Sequence, residues 1–153
     1  LFISLDYYQG ESLEKMSEST WRKLALRQLQ RKQKPLRKLW GLANAILDIK
    51  PDVLMLIEVG GKESLHHFNT HFLGGGYVPY FVESNSVRSI DLAYLVKKDL
   101  GLTVKTISNR ETAIQVQAYQ GRYTAKFSRD VAELRLCDGD TIRLIILLTH
   151  LKS

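Results

Sequence analysis

The segment Lys50-Pro51-Asp52-Val53-Leu54-Met55-Leu56-Ile57-Glu58-Val59-Gly60-Gly61 constrains the fold of this chain more than any other. A proline breaks what precedes it, and an apolar run then leads to one carboxylate and two glycines. Val53 to Ile57 is short, fully apolar and bounded by breakers. It therefore predicts a strand buried on both faces, as in a sheet covered by helices. Glu58 emerges at the carboxyl end of that strand, the end where α/β proteins bind ligands. A carboxylate there needs a cation or a hydrogen-bond donor. Two readings of Glu58 stand side by side: an acid in a binding crevice, or an acid that caps the turn in solvent.

The flanking segments place this strand in an alternating layout. Leu1-Phe2-Ile3-Ser4-Leu5-Asp6 reads as a strand that ends in a carboxylate. Residues 12 to 33 read as a polar, basic helix, and Lys34-Pro35 as a break. Leu36, Leu39, Trp40, Leu42, Ala43, Ile46, Leu47 and Ile49 recur at helical spacing up to the stop at Lys50-Pro51. Lys62 to Leu73 reads as a short helix closed by Gly74-Gly75-Gly76. Beyond it the period changes. Tyr77–Val82, Asp91–Val96, Leu102–Ile107, Ala113–Ala118, Ala132–Leu136 and Thr141–Leu148 read as successive strands, with turns at Gly101 and Asp138-Gly139-Asp140. The order predicts a mixed α/β fold with a largely antiparallel sheet. A length of 153 residues suits one domain, 1–153.

Charge is unevenly placed. The net charge is +6, and Arg22, Lys23, Arg27, Arg31, Lys32, Lys34, Arg37 and Lys38 form a block with no acid between Glu18 and Asp48. Such a block attracts phosphates whatever the base sequence. It also fits a solvated helix face, because Trp21, Leu24, Ala25 and Leu29 recur at helical spacing beneath it. Cys137 is the single cysteine, so no internal disulfide forms, which fits a reducing compartment such as the cytoplasm. The sequence does not begin with methionine, so a removed leader and secretion stay open. No apolar run is long enough for a transmembrane helix.

Several apolar strands deliver a polar group at or beyond their ends: Asp6, Glu58 and His150. Arg129 precedes the strand that carries Glu133. Two carboxylates, an imidazole and a guanidinium sharing one pocket suit phosphate-ester hydrolysis. The acids would hold Mg²⁺ or Mn²⁺. The arginine would grip a phosphate oxygen, and the histidine would donate to the phosphate or the leaving group. Each residue also has a plainer reading: Asp6 opening a loop, His150 as a core histidine satisfied by backbone, Arg129 and Asp130 as a surface pair. His66, His67 and His71 lack the partners of a zinc site and fit a wet helix face. Gly74-Gly75-Gly76 follows a helix and lacks the lysine of a phosphate loop.

Four elements, in order, carry a resemblance: Pro51-Asp52-Val53-Leu54-Met55-Leu56-Ile57-Glu58-Val59, Arg88-Ser89-Ile90-Asp91-Leu92-Ala93-Tyr94-Leu95, Phe127-Ser128-Arg129-Asp130 and Thr149-His150-Leu151-Lys152-Ser153. The chain resembles the endonuclease/exonuclease/phosphatase superfamily, whose members include deoxyribonucleases, abasic-site endonucleases, sphingomyelinases and inositol-polyphosphate phosphatases. The resemblance covers the first strand and nearly everything after residue 35. It implies Glu58 and Asp6 as metal-binding acids, Arg129 and His150 as catalytic groups at the phosphate, and Arg88 and Ser4 near the substrate. Ser4 stands where the family usually has asparagine, and Ile57 where it often has glutamine. The resemblance also implies a four-layered α/β sandwich of which this sequence holds about half, with helices on one face. The family's Gly-Asp-x-Asn and Asp-His elements, which position the nucleophile and supply the base, are not in the sequence. The expected activity is phosphoester hydrolysis, with water attacking phosphorus and nucleic acid as the foremost substrate. The alternatives are a phosphatase or sphingomyelinase-like phospholipase, and a catalytically silent basic binding module. A half-sandwich would leave a sheet face uncovered and prone to self-association.

Overall fold

The computed structural model describes residues 12–26, 34–85, 91–127 and 129–151. Among these residues are three helices and eight strands, and every strand pairing is antiparallel. The fold is mixed α/β, as the order of sequence patterns predicts.

The first helix, α1, spans Glu18–Leu26 and starts six residues later than the expected 12, while residues 27–33 of that expectation lie outside the described residues. Its start is fixed locally. The Ser17 hydroxyl accepts the backbone N–H of Thr20 at 3.1 Å, an N-cap that satisfies one of the donors a helix start leaves unpaired. Trp21 is buried and donates its indole N–H to the Lys34 carbonyl at 3.0 Å. Helix α2, Leu36–Ile49, follows Pro35, which brings no capping side chain. The Glu18 carboxylate takes that role, accepting the N–H groups of Arg37 at 2.7 Å and Leu36 at 3.3 Å. One acid thus joins α1 to the start of α2, where the helix dipole also favours negative charge. Leu36, Leu39, Ala43 and Ile46 form the buried stripe of α2. Lys50 ends the helix in the left-handed region, its N–H bonded to the Ile46 carbonyl at 2.8 Å.

Strand β1 (Val53–Val59), helix α3 (Lys62–Phe72), β2 (Tyr77–Val82) and β3 (Asp91–Lys97) follow. They build a sheet of order β1-β3-β2. The central strand β3 is buried from Asp91 to Val96. A second sheet, of order β4-β7-β8, contains β4 (Thr103–Ser108), β7 (Val131–Asp138) and β8 (Thr141–Thr149). Between β4 and β7 the chain runs out and back as a two-stranded ribbon, β5 (Ala113–Ala118) and β6 (Gly121–Lys126). The expected single sheet is therefore divided into three.

Two cores hold the layers together. The helices pack on one face of the first sheet, joining Leu39, Ala43, Ile46, Phe68 and Phe72 to Val59, Ala93 and Leu95. The other face meets the second sheet, joining Leu92, Tyr94 and Val96 to Ala132, Leu134 and Leu136. The Tyr94 hydroxyl crosses between the sheets, 2.9 Å from the Ala132 carbonyl and 3.2 Å from that of Ile146. No helix of the described residues is long and apolar enough to cross a membrane.

Strand β1 is not buried on both faces. Leu54 and Leu56 pack toward the helices, but Met55 and Ile57 are about half exposed. The physical reason is coverage: on that face of β1 only Val53 packs against the core shared with the second sheet, and Met55 and Ile57 lie beyond it among the described residues. Strand β6 was not expected. Its pattern, Arg122-Tyr123-Thr124-Ala125-Lys126, alternates too weakly in hydrophobicity to reveal a strand, although Tyr119-Gln120-Gly121 offers the turn that precedes it.

Candidate functional site

Antiparallel pairing decides which strand ends meet. Both β1 and β2 run opposite to β3, so their carboxyl ends share one edge of the first sheet. Both β4 and β8 run opposite to β7, so their carboxyl ends share an edge of the second. Asn85 fastens the two edges. Its side-chain amide donates to the carbonyls of Arg110 at 2.8 Å and Phe127 at 3.0 Å. Arg110 reaches back to Glu83 at 3.0 Å. The result is a common rim.

Glu58 reaches this rim through a break in β1. The register shifts between Leu56, opposite Ala93, and Val59, opposite Asp91. Ile57 and Glu58 together therefore stand against Leu92, and Glu58 adopts φ 58°. A bulge of this kind re-aims the side chains that follow it. Leu54 and Leu56 pack on the helix-side core, and so does Val59, one residue out of phase. Without the extra residue, position 58 would point into that core. With it, Val59 takes the core place and the Glu58 side chain stays 59% exposed at the rim. A left-handed backbone at a non-glycine residue is uncommon and concentrates at functional positions.

His150 follows β8 and meets Glu58 across the two sheets, with Nε2 3.8 Å from Oε1. Its Nδ1 contacts Nη1 of Arg129. A guanidinium has donors only, so Nδ1 is the acceptor in that contact. The ring hydrogen then sits on Nε2, which faces Glu58. His150 is thus engaged by side chains of two other segments rather than by backbone in the core.

Asp130 sets the position of Arg129, and it is not a surface acid. It is fully buried, accepting the Ser108 hydroxyl at 2.6 Å and the Asn109 N–H at 2.8 Å. Asn109 donates in turn to the Val131 carbonyl at 2.9 Å, and the Thr149 hydroxyl to the Asp130 carbonyl at 3.3 Å. The end of β4, the start of β7 and the end of β8 are thereby tied at the rim. Asp91 does similar work on the first sheet, accepting the N–H of Ser84 at 2.9 Å and its hydroxyl at 3.2 Å. These buried acids, with Asn85 and Asn109, are the positioning residues that sequence reasoning missed. Asp130 and Asp91 do stand inside two of the recognised elements, which was the available signal.

Of the residues singled out from sequence, Glu58, Arg129 and His150 come together. Asp6, Ser4 and Arg88 lie outside the described residues. Of the basic block, Arg22, Lys23, Lys34, Arg37 and Lys38 are exposed, whereas Arg27, Arg31 and Lys32 lie outside the described residues. Among the described residues no three His, Cys, Asp or Glu side chains gather as a metal site. Glu58 still suits a hard cation. Mg²⁺ uses one or two carboxylates and completes its shell with water and substrate phosphate oxygens, which requires an exposed acid such as this one. The three histidines of α3 line up along the helix, with His67 and His71 ring centres 6.0 Å apart. Partial burial pushes the His71 imidazole below its ordinary value, and the neighbouring His67 and His66 add to the effect.

No family model, curated protein or solved structure matches the chain.

Proposed function

We propose that the chain is a metal-dependent phosphoester hydrolase domain of the endonuclease/exonuclease/phosphatase type, acting on nucleic acid. One observation carries the reading: the exposed Glu58, held on a left-handed bulge, shares a rim with His150 and with the Arg129 that His150 contacts. An acid, an imidazole donor and a guanidinium suit a phosphate diester in complementary ways. Glu58, with Asp6 by resemblance, would hold Mg²⁺ or Mn²⁺. The bound cation supplies charge neutralisation for the phosphoryl and leaving oxygens. Arg129 keeps donors beyond the one spent on His150, and these grip a phosphate oxygen. The Nε2 hydrogen of His150 donates to the phosphate or to the departing oxygen. Water is the nucleophile, and its base is not assigned to a described residue. By resemblance, Arg88 and Ser4 lie beside the substrate. Exposed Arg22, Lys23, Arg37 and Lys38 favour a polyanion over a small phosphate ester.

The test compares the full chain with Glu58→Gln on plasmid DNA and on a phospholipid head-group substrate, each with and without Mg²⁺. Metal-dependent nicking that falls at least a hundredfold in the variant is expected. Turnover that survives Glu58→Gln overturns the assignment. Hydrolysis of the lipid alone moves the substrate to the phospholipase class. DNA binding with hydrolysis of neither substrate leaves a binding module.

A further inference from the structure

The β5–β6 ribbon springs from the rim itself, leaving after Asn109 and returning at Phe127. Its register divides the side chains into two faces. Gln115 opposes Thr124, Gln117 opposes Arg122, and Ala113 opposes Lys126, which makes one face a polar ladder. Ile114 with Ala125 and Val116 with Tyr123 make the other. The ladder is internally bonded. Gln115 donates to Thr124 at 2.8 Å, Arg122 to Gln117 at 3.1 Å, and Lys126 to Glu111 at 2.5 Å. An open cleft of about 420 Å³ lies along Gln115, Val116, Gln117 and Arg122. Tyr119 stands fully exposed at the turn, and Tyr123 is half exposed. From Ala113 to Lys126 there is no carboxylate.

We propose that this ribbon is an arm that lies in a groove of duplex nucleic acid beside the phosphate held at the rim. A two-stranded ribbon fits the major groove in width. Strands of six residues reach about 20 Å, several base pairs from the cut. Arg122 spends only its Nε on Gln117, which leaves its terminal amino groups for phosphates and base edges, and Gln115 keeps its Oε1 as an acceptor, while an exposed tyrosine adds a stacking surface. The charge is complementary, since the arm carries Arg122 and no acid on either strand, Lys126 being paired with Glu111 at its base. A membrane is the weaker fit, because the tip is Tyr119-Gln120 rather than a bulky apolar wedge. This inference rests on the nucleic-acid reading of the rim and assigns the part that grips the flanking duplex.

The experiment measures binding rather than cleavage, so it stands apart from the Glu58→Gln test. A fluorescent 20-base-pair DNA duplex is titrated with the full chain in EDTA at several salt concentrations. The variants are Tyr119→Ala, Arg122→Glu and, as a charge-matched control on exposed β4, Lys105→Glu. All are checked for native circular dichroism. Affinity is expected to fall about tenfold in Tyr119→Ala and in Arg122→Glu, with the salt slope lowered by about one in the latter. Lys105→Glu is expected to stay within about twofold. An equal loss in Lys105→Glu reduces the effect to net charge and overturns the proposal. So does duplex affinity that ignores both ribbon variants, or an absence of duplex binding by the unmodified chain. Ribbon-dependent binding to phosphatidylserine vesicles, with duplex binding unchanged, overturns it in favour of a membrane arm. Hydrolysis lost in Glu58→Gln with ribbon binding intact keeps the two readings distinguishable.

Discussion

Glu58 Oε1 and His150 Nε2 lie 3.8 Å apart, although one belongs to the helix-backed sheet and the other follows the last strand of the second sheet. Their approach depends on the bulge in β1, which keeps the Glu58 side chain out of the core. The backbone there is costly for any side chain with a Cβ, by about 1–2 kcal/mol. Glycine escapes that cost but loses about 0.4–1 kcal/mol through the unfolded chain. Glu58→Gly is therefore expected to be more stable than Glu58→Ala, by about 0.5–1 kcal/mol in urea unfolding. Both variants lose metal-dependent turnover on the proposed function. A glycine variant less stable than the alanine one would show that the left-handed backbone is not a cost at this position.

Asp130 is expected to matter for stability and for activity through the same contacts. Replacing it by alanine leaves the Ser108 hydroxyl and the Asn109 N–H without their buried acceptor. Losing a charged acceptor of this kind costs about 2–4 kcal/mol, which chemical denaturation resolves easily. Asp130→Asn retains one acceptor oxygen and is expected to lose about half as much. On the proposed function, Asp130→Asn lowers kcat more than it raises KM, because Arg129 is displaced while the rest of the rim persists. Unchanged stability in Asp130→Ala would refute the tie between β4 and β7.

Tyr94 gives a pH dependence whose sign is fixed. Burial pushes its hydroxyl from an ordinary 10.0 up to about 12, and the charges of Asp130 and Glu133 push in the same direction. The folded chain therefore prefers the neutral phenol more strongly than the unfolded chain does. That preference is fully present below pH 10 and is lost as the pH rises toward 12, in total about 2–3 kcal/mol. Tyr94→Phe removes the titration together with two carbonyl contacts. It is expected to be about 1–2 kcal/mol less stable at neutral pH, with a flatter stability profile from pH 10 to 12. Parallel profiles for the two proteins would argue against this assignment.

Local signals fixed much of this fold and little of its edges. Helix α2 was legible because an apolar stripe, a proline before it and a proline after it agree. Strands β2 and β5 fall where their apolar and alternating patterns placed them. Glu58, Arg129 and His150 were legible because each stands at a strand end. What escaped was set by distant partners. The start of α2 is completed by Glu18 from another helix. The burial of Asp130 depends on Ser108 and Asn109, about twenty residues upstream, and no periodicity encodes that. The exposure of Met55 and Ile57 reflects how far the second sheet reaches over β1, again invisible in a five-residue apolar run.

Strand β8 leads to a prediction about association. It is an edge strand among the described residues, and Ile142, Leu144, Ile145 and Leu147 are each between 44% and 62% exposed. Ile145 and Leu147 lie opposite Arg135 and Glu133 on β7, so they share the face of the second sheet turned away from Tyr94. An apolar edge with free backbone groups invites pairing with another copy of the same strand. The chain is therefore expected to dimerise with rising concentration in sedimentation velocity. Lysines on an edge oppose such pairing through charge repulsion and desolvation. The double substitution Ile145→Lys with Leu147→Lys is expected to raise the dimer dissociation constant at least about tenfold, a change of about 1.4 kcal/mol. Circular dichroism should stay native, since both side chains already face solvent. A chain that stays monomeric at high micromolar concentration, or a dimer indifferent to both lysines, would place self-association elsewhere or remove it.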